Sequence, residues 1–218
     1  MSTANTHGKG ERPHAHHYDS AEHEYQSSKQ GIWLFLCTEI LMFGGLFVAY
    51  AIFHHMYPEL FKIGSTYLDW KLGALNTIVL LFSSLTMALG IYYNQMRNKN
   101  MASIMLIITL VCGCIFLGVK WIEYSHKFHE GLFPGQMFKG DTSQVSNLAL
   151  YFSFYFMMTG LHAIHVVTGM GLIVWVLIRT NRGDFGPEYY TPVEGVGLFW
   201  HLVDLVWIYL FPLLYLVS

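Results

Sequence analysis

Long apolar stretches separated by short polar segments make up most of the chain, and five of them are long enough to cross a membrane. The hydrocarbon core of a bilayer is about 30 Å thick and needs roughly 20 residues of helix to span it. In lipid the backbone has to satisfy its own hydrogen bonds, so these stretches are predicted as helices rather than strands. The predicted spans cover residues 31–53, 72–93, 101–124, 147–178 and 195–217.

The polar segments divide the chain into a tail and one domain. Residues 1–28 are polar and contain several histidines but no apolar stretch that resembles a signal peptide, so they are predicted as a mobile cytoplasmic tail. No internal repeat or long linker interrupts residues 29–218. The expected fold is therefore all-α: a polytopic membrane protein with a five-transmembrane-helix bundle and a polar N-terminal tail.

Composition supports the membrane class and excludes others. Apolar residues make up 54% of the chain and charged residues 12%, whereas a soluble domain carries about 25% charged residues. The formal net charge of -2 leaves no basic face that would favour nucleic acid. Cys37, Cys112 and Cys114 all fall in apolar spans, without the spacing of a disulfide framework or a zinc site, so they are interpreted as packing residues.

The distribution of lysine and arginine predicts the orientation in the membrane. When the segments between spans are assigned to alternate sides, one side receives all four arginines together with several lysines, and the other receives lysines only. An excess of basic residues is typical of cytoplasmic loops. The N-terminus is therefore predicted to lie in the cytoplasm and the C-terminus outside it.

Ionisable residues lie inside the predicted spans, where they are costly unless they face protein or water. Glu194, His201 and Asp204 are spaced so that they share one face of the fifth span, and His162 and His165 share a face of the fourth. We expect these two polar faces to hydrogen-bond to each other across the helix contact, or His201 and Asp204 to face a neighbouring subunit. Their predicted role is to fix the register of the helices.

Two acidic residues stand apart from this pattern. Glu39 lies within the first span without a charged neighbour in that span, and Glu123 lies at the end of the third. Glu123 is predicted to belong with the interhelical packing residues. For Glu39, and also for Asp204, a role in holding or passing protons is the alternative to simple hydrogen bonding.

Other chemistries fit the spacing less well. A metal site in the bundle would need three or four converging ligands, and only His162, His165 and His201 are available at membrane depth, so no metal site is predicted. A haem bound between two helices would need well-separated histidines on each, which the chain lacks. A stand-alone proton-coupled transporter remains the alternative, although the repeats and broken helices common in transporters are not visible.

Five segments, in order, resemble the haem–copper oxidase subunit III family. They are GIWLFLCTEILMFGGLFVAY, LNTIVLLFSSLTMA, KWIEY, YFSFYFMMTGLHAIHVVTGM and VEGVGLFWHLVDLVWIYLFPLLYL. The resemblance covers residues 29–217. The chain begins where the third helix of the family's seven-helix form begins, so it resembles the five-helix form, and lipid contacts made by the two missing helices are not carried over.

The resemblance implies a non-catalytic subunit of a respiratory terminal oxidase in the bacterial cytoplasmic (inner) membrane. It implies that haem and copper are held by subunit I, that this chain binds no cofactor and has no catalytic residue, and that it supports the stability, lipid binding and proton supply of subunit I. Subunits I and II and structural phospholipid are the implied partners. Glu39 matches the family's intramembrane glutamate, and the other ionisable residues match its recurrent polar positions. The electron donor (cytochrome c or quinol) and membership of a respiratory supercomplex stay open.

Overall fold

The computed structural model describes residues 21–132, 148–186 and 190–216, and these contain six helices. Five of the six are long and apolar enough to cross a membrane, and each corresponds to one predicted span. The all-α five-span fold is therefore confirmed. The helices are α1 (Ala21–Met56), α2 (Pro58–Thr66), α3 (Trp70–Gln95), α4 (Lys99–His129), α5 (Leu148–Arg182) and α6 (Thr191–Tyr215).

The helices extend beyond the predicted spans. Helix α1 begins at Ala21, so it includes residues 21–28 of the predicted tail, while residues 1–20 lie outside the described part of the chain. Helix α2 was not predicted. It begins at Pro58, whose fixed φ suits the first turn of a helix.

Local sequence sets the turn between α3 and α4. Arg97 adopts a left-handed backbone conformation with φ 60°, and the backbone N–H of the following Asn98 donates to the carbonyl of Tyr93 at the end of α3. The Asn98 side chain in turn accepts a hydrogen bond from the N–H of Met101 in the first turn of α4. This tight turn brings the two helices back alongside each other, and they pack along their lengths.

Helix α6 lies at the centre of the bundle and α1 at its edge. Half of the apolar part of α6 is buried inside the bundle, compared with 11% for α1. Helix α6 packs against α1, α3 and α5, and its Trp207 ring meets Phe116 of α4 edge-on at 4.8 Å. The polar side chains of α6 are therefore placed where they can meet three or more other helices.

Glycine has a packing role at only some of the small positions along the long helices. A Cβ at Gly169 of α5 would lie 2.8 Å from the Trp200 ring of α6, so α5 and α6 need glycine there to approach as closely as they do. At Gly44 and Gly45 of α1, by contrast, no side chain or neighbouring backbone atom lies within 4 Å of such a Cβ. The outer side of α1 is thus open at these two glycines.

Candidate functional site

The ionisable residues picked out from the sequence do not form one cluster; they belong to separate contacts between helices. One contact joins α1 to α5, a second joins α3 to α6, and a third joins α4, α5 and α6. Each is built from side chains that are wholly or largely buried in the bundle.

Glu39 and His165 form the contact between α1 and α5. The carboxylate Oε2 lies 2.8 Å from the imidazole Nε2, and each side chain is 15% exposed. The other ring nitrogen, Nδ1, is 2.8 Å from the carbonyl oxygen of Leu161 and therefore donates its hydrogen there. A hydrogen bond between Nε2 and the carboxyl group then needs a proton of its own, carried either by the ring or by the acid. The pair is thus a largely buried hydrogen bond that ties α1 to α5.

His201 and Asp204 bond to α3. The Nδ1 atom of His201 lies 2.7 Å from the hydroxyl of Ser84. The hydroxyl of the neighbouring Ser83 contacts Oδ2 of Asp204 at 3.4 Å and accepts a hydrogen bond from the Trp200 indole at 3.0 Å. The predicted pairing of these two residues with the histidines of α5 was wrong, because the face of α6 that carries them is turned towards α3.

Glu123 belongs to a buried cluster that the sequence analysis only partly identified. Lys120 donates to Glu123 Oε2 at 2.9 Å and to the hydroxyls of Tyr215 at 2.7 Å and Tyr155 at 3.4 Å. The Tyr215 hydroxyl donates to Glu123 Oε1 at 2.6 Å. Lys120 and Glu123 are each about 5% exposed. An ion pair with two tyrosines therefore joins α4, α5 and α6 inside the bundle.

The Lys120 ammonium also lies over aromatic rings. Its nitrogen is 4.7 Å from the centre of the Trp207 ring and 5.2 Å and 5.3 Å from those of Tyr155 and Tyr215. Such faces attract a cation, and the attraction is stronger away from water. The sequence analysis missed Lys120, although its position three residues before Glu123 on a helix was the available signal.

His162 and Glu194 have different surroundings. His162 is fully buried against the rings of Phe116 and Trp207, and neither of its ring nitrogens has a hydrogen-bond partner among the described residues. Glu194 lies in the first turn of α6 beside Tyr190, and the negative charge of its carboxylate raises the pKa of the Tyr190 phenol. Neither residue contacts the Glu39–His165 pair through a hydrogen bond.

The ligating side chains of the described residues are spread over separate places in the bundle. Within residues 21–132, 148–186 and 190–216, no three histidine, cysteine, aspartate or glutamate side chains come together in a way that could hold a metal ion. The three cysteines are unpaired thiols, with Cys112 buried and the other two exposed.

Comparison with known proteins finds similarity along almost the whole chain. The family model for cytochrome c oxidase subunit III matches residues 15–218. The probable quinol oxidase subunit 3 of Staphylococcus haemolyticus strain JCSC1435 is 30% identical over 200 residues, which is 92% of this chain and 94% of that protein. Proteins of the same name from Staphylococcus aureus strains USA300 and NCTC 8325 / PS 47 are 29% identical over the same shares.

Proposed function

Because the chain belongs to the cytochrome c oxidase subunit III family and is an accessory subunit of a terminal oxidase, we propose that it packs directly against the catalytic subunit I. Subunit I holds the haem and copper and carries out the reduction of oxygen. This chain contributes a polar-cored helical bundle that stabilises the assembly, binds structural phospholipid and supports proton supply to subunit I. Subunit II belongs to the same complex.

The outer side of α1 is the surface that supports direct packing. Its residues Leu34, Thr38, Leu41, Gly45 and Val48 recur at alternating steps of four and three, as in the seam between two packed helices. Leu34 and Leu41 are 73% and 74% exposed. Small residues between large apolar ones let a second helix approach closely in a membrane, where hydrophobicity alone does not drive association. A transmembrane helix of subunit I fits this seam.

Replacing Gly45 by leucine is therefore expected to lower, several-fold, the amount of subunit I that co-purifies with this chain. Gly118 of α4 is the matched control, since a Cβ there would also meet no neighbour within 4 Å. Both substitutions improve helix propensity equally, and only Gly45 lies in the α1 seam. Quantitative mass spectrometry of complexes purified in mild detergent measures the ratio. Equal recovery in both variants would place the docking surface elsewhere.

The wild-type preparation tests the wider proposal. It should contain a much larger haem protein and reduce oxygen. The similar Staphylococcus proteins are named as probable quinol oxidase subunits, which favours a quinol as the electron donor. Comparing the oxidase turnover with a quinol to the turnover with reduced cytochrome c distinguishes the two donors. Purification of this chain alone, free of haem protein under conditions that keep other membrane complexes intact, would contradict the proposal.

The complex lies in the bacterial cytoplasmic membrane with the N-terminus of this chain in the cytoplasm and its C-terminus outside. The excess of arginine at the α3–α4 turn and the end of α5 supports this orientation. Alkaline phosphatase fused after residue 218 is expected to be active, because the enzyme folds only outside the cytoplasm, and a fluorescent protein fused there is expected to be dark. The reverse result would invert the topology.

The polar residues are assigned two kinds of role. Glu39 and Asp204 are proton-related positions. The remaining ones hold helices together: Glu123, His162, His165, Glu194 and His201. The Glu39–His165 contact supports both roles at once, since the same hydrogen bond ties α1 to α5 and carries an exchangeable proton.

A further inference from the structure

Three buried polar side chains on three different helices have unsatisfied atoms. Asn76 of α3 and His162 of α5 are 0% exposed, and Asp204 of α6 is 3% exposed. Both amide atoms of Asn76, both ring nitrogens of His162 and Oδ1 of Asp204 have no hydrogen-bond partner among the described residues.

The ring of His162 lies against Trp207, and Asn76 and Asp204 belong to helix turns that contact or carry Trp207. The His162 ring is 5.3 Å from the Trp207 ring, measured between centroids. The Trp207 indole donates to the hydroxyl of Thr77, which follows Asn76 on α3, at 3.1 Å. Asp204 lies one turn before Trp207 on α6. The unsatisfied atoms therefore belong to one region of the core rather than to three unrelated places.

Satisfied polar clusters flank this region on two sides. On one side Asp204 Oδ2 contacts Ser83, which also accepts from the Trp200 indole. On the other side the Lys120 ammonium lies over the Trp207 ring and bonds to Glu123. Trp207 therefore contacts both His162 and the Lys120 ammonium, and no hydrogen bond between described residues connects the two clusters.

Buried atoms without hydrogen-bond partners would lower the stability of the folded chain. A buried donor or acceptor without a partner destabilises the folded state, and native proteins satisfy the great majority of such groups with protein atoms or ordered water. An amide, an imidazole and a carboxyl oxygen together need both donors and acceptors. A water molecule supplies both and typically makes about three hydrogen bonds when buried.

We propose that ordered water molecules bind in the core of the bundle and bridge Asn76, His162 and Asp204. The bridge extends the Ser83–Asp204 cluster to Asn76 and His162 in the core of the bundle. It couples α3, α5 and α6 at residues that share no direct hydrogen bond. All three side chains belong to this chain, so the bridge does not depend on which face of α1 meets subunit I.

The first test is a cryo-EM map of the intact wild-type oxidase in lipid nanodiscs, at a resolution that shows bound water. Density within hydrogen-bond distance of at least two of the three side chains is expected. Well-ordered side chains with no such density, or side chains that bond directly to one another, would overturn the proposal.

The second test is a double-mutant cycle on the temperature at which this chain dissociates from the purified oxidase. Asn76→Leu and His162→Phe are each expected to lower it by a few degrees, because each change removes one partner of the bridging water and leaves the others unsatisfied. Together they should lower it by less than the sum, because either change already breaks the bridge.

The control cycle pairs His162→Phe with Asn94→Leu. Asn94 already has a direct partner, the hydroxyl of Thr180 at 3.0 Å, so these two changes are expected to add. Additive effects in the first cycle, or a higher dissociation temperature in either single variant of that cycle, would contradict the water bridge. The map of the wild-type complex decides the question if a variant fails to assemble.

Discussion

Replacing Glu123 by leucine is expected to destabilise the contact of α4 with α5 and α6 by about 3–5 kcal/mol, the cost of removing one partner of a buried ion pair. The Lys120 ammonium would remain in the core without its carboxylate, and the Tyr215 hydroxyl would lose its acceptor. Hydrogen exchange of the complex in nanodiscs, measured by mass spectrometry on peptides of α4 and α6, reports the local opening free energy.

The double variant Lys120→Met with Glu123→Leu is expected to recover much of this loss, because apolar residues that replace both partners leave no buried charge. The matched control is Glu130→Leu. Glu130 pairs with Lys127 at 3.5 Å but is about half exposed, so its loss should cost less than about 1 kcal/mol. Amide hydrogen exchange that is no faster in Glu123→Leu than in Glu130→Leu would show that the cluster does not stabilise the contact of α4 with α5 and α6.

Replacing Glu39 by alanine is expected to loosen α1 by about 1–3 kcal/mol, the cost of leaving the buried ring nitrogen of His165 without its hydrogen-bond partner. Its carboxylate bonds to His165 at 2.8 Å, and little else buries α1. Faster hydrogen exchange should therefore appear in α1 and leave α3 and α4 unchanged. Unchanged exchange in α1 would show that the pair does not hold the helix.

Glutamine at position 39 separates the structural role from the proton role. Glu39→Gln keeps an oxygen or amide that can bond to His165 but cannot hold the shared proton. We expect it to retain most of the protection of α1 while lowering the sustained turnover of the oxidase. Full oxidase turnover in Glu39→Gln would limit the role of Glu39 to packing.

The two substitutions probe different parts of the bundle. The Lys120–Glu123 cluster lies where α4, α5 and α6 meet, so its loss affects the central helix, whereas the Glu39–His165 pair holds the edge helix. Helix α1 also carries the seam proposed for subunit I. Loosening α1 is therefore expected to weaken assembly without unfolding the rest of the chain.

The sequence by itself determined the class of the protein, its five spans and its family. Length and hydropathy suffice for spans because a bilayer imposes one thickness on every helix that crosses it. Periodicity also identified which residues share a helix face, such as Glu194, His201 and Asp204. Each of these properties depends only on residues that are near one another along the chain.

Only the tertiary structure decided which faces meet. Periodicity places His201 and Asp204 together but does not say that Ser84 and Ser83 of α3, rather than the histidines of α5, lie opposite them. The partner of Glu39 is likewise 126 residues away. In a membrane, apolar helix surfaces differ little in their preference for one another, so close packing selects which helices become neighbours. The approach of Gly169 to Trp200 is one such contact, and no local sequence pattern encodes it.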